Sequence, residues 1–198
     1  MKVSIVILAA GASKRMVGKN KLLLEYNDRS IISHVCRTVL RTNLSPIIVV
    51  TGFEHKKVEK ELPIEIISIV RNIHWEKGMA SSVNIGISSL PKDIDGSMIL
   101  LGDMPLIKSS TLRLLIEKFD YYHGRNIIYP IHEERQGNPV IFPKKYFNEI
   151  LNGDGDRGCK KVLRRYPSDA IGIPIESDEV VLDCDTQDDY FLIKSRKS

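Results

Sequence analysis

The fold turns on the reading of Leu8-Ala9-Ala10-Gly11-Ala12-Ser13-Lys14-Arg15-Met16-Val17-Gly18-Lys19-Asn20-Lys21. Before it stands Val3-Ser4-Ile5-Val6-Ile7-Leu8, an apolar, β-branched run of the kind that forms a parallel strand buried on both faces. Within the stretch itself, small residues give way to cations. Ala9, Ala10 and Gly11 carry so little side chain that main-chain N–H groups can approach a ligand closely. Lys14, Arg15, Lys19 and Lys21 add positive charge beside those donors. A first strand that opens into small residues and then cations is a cradle for a polyphosphate.

Two familiar phosphate loops are excluded. The Walker pattern fails because Gly11 and Gly18 are too far apart and Asn20, not a magnesium-binding hydroxyl, follows Lys19. The dinucleotide pattern fails because Ser13 and Met16 stand where glycines are needed. Val17 resists a positive φ, so the loop is expected to tighten one residue later, at Gly18.

A chain of 198 residues is long enough for a sizeable core and is read as one domain over 1–198. Its 42% hydrophobic and 27% charged content is that of a soluble globular protein. A net charge of +4, without a basic run interleaved with aromatics, suits small anions and argues against nucleic acid. Cys36, Cys159 and Cys184 are widely spaced and form no Cys-x-x-Cys, which excludes a zinc ribbon and points to a reducing cytoplasm. The first apolar run is short, interrupted by Ser4 and followed at once by Lys14-Arg15, so it reads as a strand and not as a signal peptide. Nothing is long enough to span a membrane.

Strand and helix signals alternate along the chain. Ser30 caps a helix with Ile32, Val35, Cys36 and Val39 on one face. Strands are predicted over 46–50 and 64–70, with a charged helix over 54–62 between them. A polar, irregular segment from Arg71 to Met79 leads into a helix over 80–90, whose Ser81 and Ser82 either cap it or offer hydroxyls to a ribose or base. Trp75 reads as a packing anchor. The strand over 96–101 ends abruptly at Gly102-Asp103, aiming Asp103 at the crevice of the first loop. A helix with Leu112, Leu115, Ile116 and Phe119 follows, then strands over 126–130 and 137–142. Asp154-Gly155-Asp156-Arg157-Gly158 lacks the ligand pattern of a calcium loop; it precedes a helix and could offer N–H groups and Arg157 to an anion. Val180-Val181-Leu182-Asp183 reads as the last strand, and Thr186 with Asp189 as a capping box for a final helix. The pattern predicts an α/β fold: a Rossmann-like, mostly parallel sheet with helices on both faces.

In order, the first loop, Trp75-Glu76-Lys77-Gly78-Met79-Ala80-Ser81-Ser82, Leu101-Gly102-Asp103-Met104-Pro105-Leu106, Gly137-Asn138-Pro139-Val140, Gly155-Asp156-Arg157-Gly158 and Asp183-Cys184-Asp185-Thr186 resemble the molybdopterin nucleotidyltransferase-like family. The Gly-Asn-Pro and Gly-Asp-Arg-Gly pieces resemble its molybdenum cofactor cytidylyltransferase branch in particular. The resemblance covers nearly the whole chain. It implies a nucleotide-diphospho-sugar transferase-type sheet and transfer of CMP from CTP to the terminal phosphate of molybdenum-molybdopterin, with release of pyrophosphate. It also implies Mg²⁺ held by Asp103 and Asp185, and a triphosphate neutralised by Arg15 and Lys21, the four residues carrying catalysis. Leu8, Ala9, Ala10, Gly11, Ser13, Arg15, Lys21, Ser82 and Asp103 would bind the nucleotide, and Asn138, Asp156 and Arg157 the acceptor. Ala10 stands where guanylyltransferase relatives have glycine, which leans to CTP. Gln187 replaces the usual proline after Thr186, with no loss of a metal ligand. A molybdenum hydroxylase apo-enzyme would receive the product.

The chemistry agrees with the residues present. A phosphate monoester, with its second pKa about 6, is already an anionic nucleophile near neutral pH, so no Ser-His-Asp or Cys-His arrangement is needed. Two alternatives stay open: transfer to a sugar phosphate or methylerythritol phosphate, and a non-catalytic nucleotide-binding maturation factor for a molybdenum hydroxylase.

Overall fold

The computed structural model describes residues 1–16, 18–66, 68–152 and 158–196. The chain runs β1 (Val3–Ala9), a hairpin of β2 (Glu25–Tyr26) and β3 (Arg29–Ser30), α1 (Ile31–Leu40), β4 (Ile47–Thr51), α2 (His55–Glu61) and β5 (Ser68–Arg71). There follow α3 (Met79–Ser88), β6 (Gly96–Leu101), α4 (Ser109–Tyr121), β7 (Ile127–His132), β8 (Arg135–Gln136) and β9 (Val140–Pro143). The last elements are α5 (Phe147–Leu151), α6 (Gly158–Arg165), β10 (Ala170–Pro174) and α7 (Gln187–Ser195).

The main sheet has the order β10-β7-β9-β6-β1-β4-β5, with β8 paired to β7. β1 is at its centre, parallel to β4 on one side and to β6 on the other. Only β9 breaks the parallel pattern among these seven, running antiparallel to β6 and β7. The unbroken apolar run of β1 is explained by this position, because both of its faces are covered. Val3, Ile5 and Ile7 pack beneath α1, α2 and α4, whereas Val6 and Leu8 pack beneath α3, α5 and α6. The expected Rossmann-like architecture is therefore observed. α3 lies close enough to β1 that a Cβ on Gly86 would come within 2.4 Å of Val6 Cγ1.

The local readings hold where a cap or stripe dictates them. Ser30 Oγ accepts from the Ser33 amide at 3.3 Å, and Ile32, Val35, Cys36 and Val39 are wholly buried. Thr186 and Asp189 form the reciprocal capping box of α7. Three strand readings need correction: the strand expected over 137–142 begins only at Val140, the Asn138 amide before it bonding Val180 O instead of a neighbouring strand. The strand expected over 64–70 is confined to Ser68–Arg71, because a turn closed by the Ile66 amide on Pro63 O precedes it. Residues 180–183 form no strand: a 3-10 turn ends at Val180, whose carbonyl accepts from the Asn138 amide at 2.8 Å instead of joining a ladder. The edge position belongs to β10, parallel to β7. No helix among the described residues is long and apolar enough to cross a membrane.

Candidate active site

β1, β4 and β6 run side by side, so the loops that follow β1 and β6 open at the same edge of the sheet. Between them and the start of α3 lies a cleft of about 420 Å³. Gly11 faces it: a Cβ there would meet no protein atom within 4 Å, so any side chain would fill ligand space. The loop is held by its own polar groups. Ser13, at φ 52°, presents its carbonyl to the Met16 amide at 2.8 Å and its Oγ to the Lys21 amide at 3.0 Å. Gly18 takes φ 70°, the turn expected there. Asn20 caps the short turn Lys21–Leu23, and Met16 buries its side chain, so both ends of the loop are anchored.

Asp103 follows β6 through Gly102, whose amide donates to Leu8 O at 2.9 Å. A Cβ on Gly102 would come within 2.8 Å of that same carbonyl, which is why glycine is needed at this exit. The third wall is the turn before α7. The Cys184 amide donates to Asp103 O at 2.9 Å, and its side chain is fully buried, so Asp183 and Asp185 on either side of it line the cleft.

Charges converge here. Lys21 Nζ pairs with Asp103 and, at 2.5 Å, with Asp185 Oδ1. Arg15 pairs with the other oxygen of Asp185. Burial opposes the charge on Lys21, but the two carboxylates outweigh it and raise its pKa. Burial pushes the Asp103 carboxyl up, with Lys21 holding it back. For Asp185 burial also works upward, but Lys21 and Arg15 prevail and hold it low. Asp183 is raised to about 6 by burial and by the charges of Asp103 and Asp185. The ligand atoms of Asp103, Asp183 and Asp185 lie within 4.8 Å of one another, an arrangement that can hold a metal ion. Asp103 Oδ1 is buried without a hydrogen-bond partner, as a metal-ligand oxygen would be.

Leu8, Ala10, Gly11, Ser13, Arg15, Lys21, Ser82, Asp103 and Asp185 all line the cleft. Ala9 instead packs its methyl in the core. Ala10 is nearly buried, pressed so close to Gly52 that a Cβ there would lie 2.7 Å from its own. Asn138 is not among the lining residues; its main chain bonds Val180, and a Cβ on Gly137 would lie 2.5 Å from Val180 O. Asp156 and Arg157 lie outside the described residues. Trp75 both packs edge-on against Phe53, at 5.3 Å between centroids, and lines the cleft.

Two residues were missed in sequence. Asp183 reads in sequence as the end of a strand, although it stands two residues before Asp185. Asn72, fully buried, gave no signal: its Nδ2 donates to Ser81 Oγ at 2.8 Å and Ser82 Oγ at 2.9 Å, and its Oδ1 accepts from the His74 amide. The serines at the start of α3 are thus held by a side chain from the preceding segment.

A strand-end carboxylate facing a small-residue, cationic loop is the framework of nucleotide transfer, and the sequence as a whole agrees. The MobA-like NTP transferase domain family matches over residues 5–170. The chain belongs to that family. As a MobA-like NTP transferase it is a nucleotidyltransferase. It is 25% identical over 195 residues to the molybdenum cofactor cytidylyltransferase of Escherichia coli strain K12, covering 98% of this chain and 96% of that one. It is 31% identical over 159 residues to the bifunctional protein GlmU of Thermosipho africanus, covering 79% of this chain but only 34% of GlmU. Among solved structures, Rv0371c of Mycobacterium tuberculosis H37Rv in complex with manganese superposes with a TM-score of 0.85 at 22% identity, over 100% of both chains.

Proposed function

We propose that this MobA-like NTP transferase moves CMP from CTP to the terminal phosphate of a molybdenum-carrying molybdopterin, releasing pyrophosphate. The observation that carries the reading is the convergence of the loop after β1, Asp103 and the turn at 183–185 on one cleft. The choice of CTP and of a pterin acceptor is supported by the likeness to the Escherichia coli enzyme over nearly the whole chain. The product would pass to a molybdenum hydroxylase apo-enzyme.

In this mechanism the triphosphate lies along the loop after β1, with Gly11 leaving room for it and Ser13 holding the turn. Lys21, largely buried, places a fixed charge at the phosphates. Arg15 is 67% exposed, so swinging onto a phosphate breaks no packing. Ser82, held by Asn72, faces the nucleoside end. The carboxylates of the Asp103 cluster would hold Mg²⁺, whose preference for hard oxygen donors they meet. When bound, the ion neutralises charge on the triphosphate and on the departing pyrophosphate. The acceptor phosphate attacks the α-phosphorus as an anion, and the chain's task is alignment and charge neutralisation. Asn138, Asp156 and Arg157 are proposed for the acceptor end.

The test is pyrophosphate release by the purified chain with Mg²⁺, offering CTP, GTP or ATP against molybdenum-loaded molybdopterin, a sugar phosphate or methylerythritol phosphate. Release with CTP and the pterin supports the proposal. Release only with a sugar phosphate or methylerythritol phosphate reassigns the acceptor, and none with any pair supports a nucleotide-binding maturation factor.

A further inference from the structure

A second cleft, of about 550 Å³, opens between α1, the start of α4 and residues 177–179, and it shares no lining residue with the first. Its floor is apolar: Tyr26, Pro105 and Ile107 are buried there beside Leu106. Its rim is cationic. His34, Thr38 and Arg41 stand at i, i+4 and i+7 along α1, and Lys108, Arg113 and Arg196 complete it. We infer that this cleft is a second ligand site, and that it takes a phosphate monoester with an apolar body.

Charge pairing within the cleft sets the class of ligand. Lys108 Nζ pairs with Glu179 at 2.8 Å and Arg196 with Asp178 at 2.5 Å, which uses both carboxylates that line it. Arg41 and Arg113 have no carboxylate partner among the described residues. Arg113 is instead fixed by donating from Nη1 to Arg41 O at 3.0 Å, which holds it against the end of α1. Two uncompensated guanidiniums match a dianion, and a phosphate monoester is one above its second pKa of about 6. The start of α4 is not the anchor. Glu179, 2% exposed, already accepts there from the Lys108 amide at 3.3 Å and from Thr111 Oγ1 at 2.5 Å. Ser109 and Ser110 add hydroxyls for the remaining phosphate oxygens. The apolar floor calls for a body that free phosphate lacks. His34 reports on occupancy: burial and the charges of Arg41 and Arg29 hold its imidazole below the usual range, and an anion beside Arg41 offsets that charge. Residues 105–108 lead away from Asp103 and residues 177–179 lead toward Asp183, so an occupant packs on the two segments that carry the acidic cluster without reaching it.

The experiment titrates phenyl phosphate into the full chain at about pH 7.5, where the ester is a dianion. The His34 ring signal is followed by NMR and identified by its loss in His34→Gln. Saturable movement of that signal is expected. Arg41→Gln and Arg113→Gln, both at exposed positions, are expected to weaken binding by about 10-fold each, the loss of a charge-assisted hydrogen bond. Lys56→Gln removes an exposed charge outside both clefts and stays within about twofold, because salt screens it from the site. Circular dichroism checks each fold. Inorganic phosphate is expected to bind at least about 10-fold more weakly than phenyl phosphate, since it buries no ring. No saturable movement of the His34 signal, or wild-type affinity in both arginine variants, overturns the site. An equal loss in Lys56→Gln reduces it to general charge attraction and overturns it too. Inorganic phosphate binding as tightly as phenyl phosphate overturns the assignment to an ester with an apolar body.

Discussion

Asn72 shows how much a single buried amide can organise. It spends both donor and acceptor capacity on the approach to α3, reaching Ser81, Ser82 and the His74 amide, while its own amide donates to Thr51 O at 2.7 Å at the end of β4. Asn72→Ala leaves those groups without their partner, which costs about 1–3 kcal/mol for a buried polar group. Because Ser82 lines the cleft proposed for the nucleotide, the loss is expected to weaken nucleotide binding. The expected outcome is a KM for the nucleotide raised about 10-fold with kcat changed less, the pattern of lost uniform binding. Steady-state kinetics with a varied nucleotide checks it; a variant less stable but unaltered in KM would confine Asn72 to packing. None of this was legible in sequence, since an asparagine in a polar segment looks like any turn residue. Gly11, Arg15, Lys21 and Asp103 were legible, because small residues, cations and a strand-end carboxylate carry their chemistry locally.

At the scale of elements, caps and close contacts decide how precisely the site is held. The capping box of α7 lies next to Asp185: Asp189 Oδ2 accepts from the amides of Thr186 at 2.7 Å and Asp185 at 3.2 Å. Thr186→Ala is expected to cost about 1 kcal/mol, as for other N-cap losses. The drop should appear as a lower urea midpoint at an unchanged slope. The contact of α3 with β1 is tighter. Gly86→Ala brings a Cβ to 2.4 Å from Val6 Cγ1 and 3.2 Å from Val50 Cγ2, both on branched residues fixed in central strands. Overpacking of this kind costs about 1–3 kcal/mol in spite of the better helix propensity of alanine. A midpoint equal to or above that of wild type would show that α3 can lift away. The capping box was readable from two residues three apart. The glycine contact was not, because Gly86 in the sequence is only a weak helix residue.

Across the whole molecule, the acidic cluster links stability to pH. Asp183 sits at about 6 when folded, above its ordinary 3.8, so its ionised form opposes folding. That penalty is absent below 3.8, grows with rising pH and is complete above 6. His34 acts the opposite way in the same window: burial and the nearby Arg41 and Arg29 hold it below 6.5, so its contribution is lost as pH falls. Asp178 and Asp169, held low by Arg196 and Lys145, matter only below 3.8. Thermal melts in a chelator should therefore show wild type gaining on Asp183→Asn as pH falls from about 7 to about 5, where the asparagine cannot take up the stabilising proton. A constant difference in melting temperature across that range would show that Asp183 titrates alike in both states. The sequence alone dictates the central strand, the small-residue, cationic loop after it, the capped helices and the alternation that makes a parallel sheet, because periodicity, branching and caps act over a few residues. The tertiary structure decided what depends on distant partners. It set the weakly strand-like Ala170–Pro174, with its glycine and proline, at the edge beside β7, where fewer backbone bonds are demanded. It turned the apolar residues near Val180 into a buried turn against Asn138. It also brought Asp183 beside Asp103, since only the pairing of the 183–185 turn with the end of β6 closes that distance.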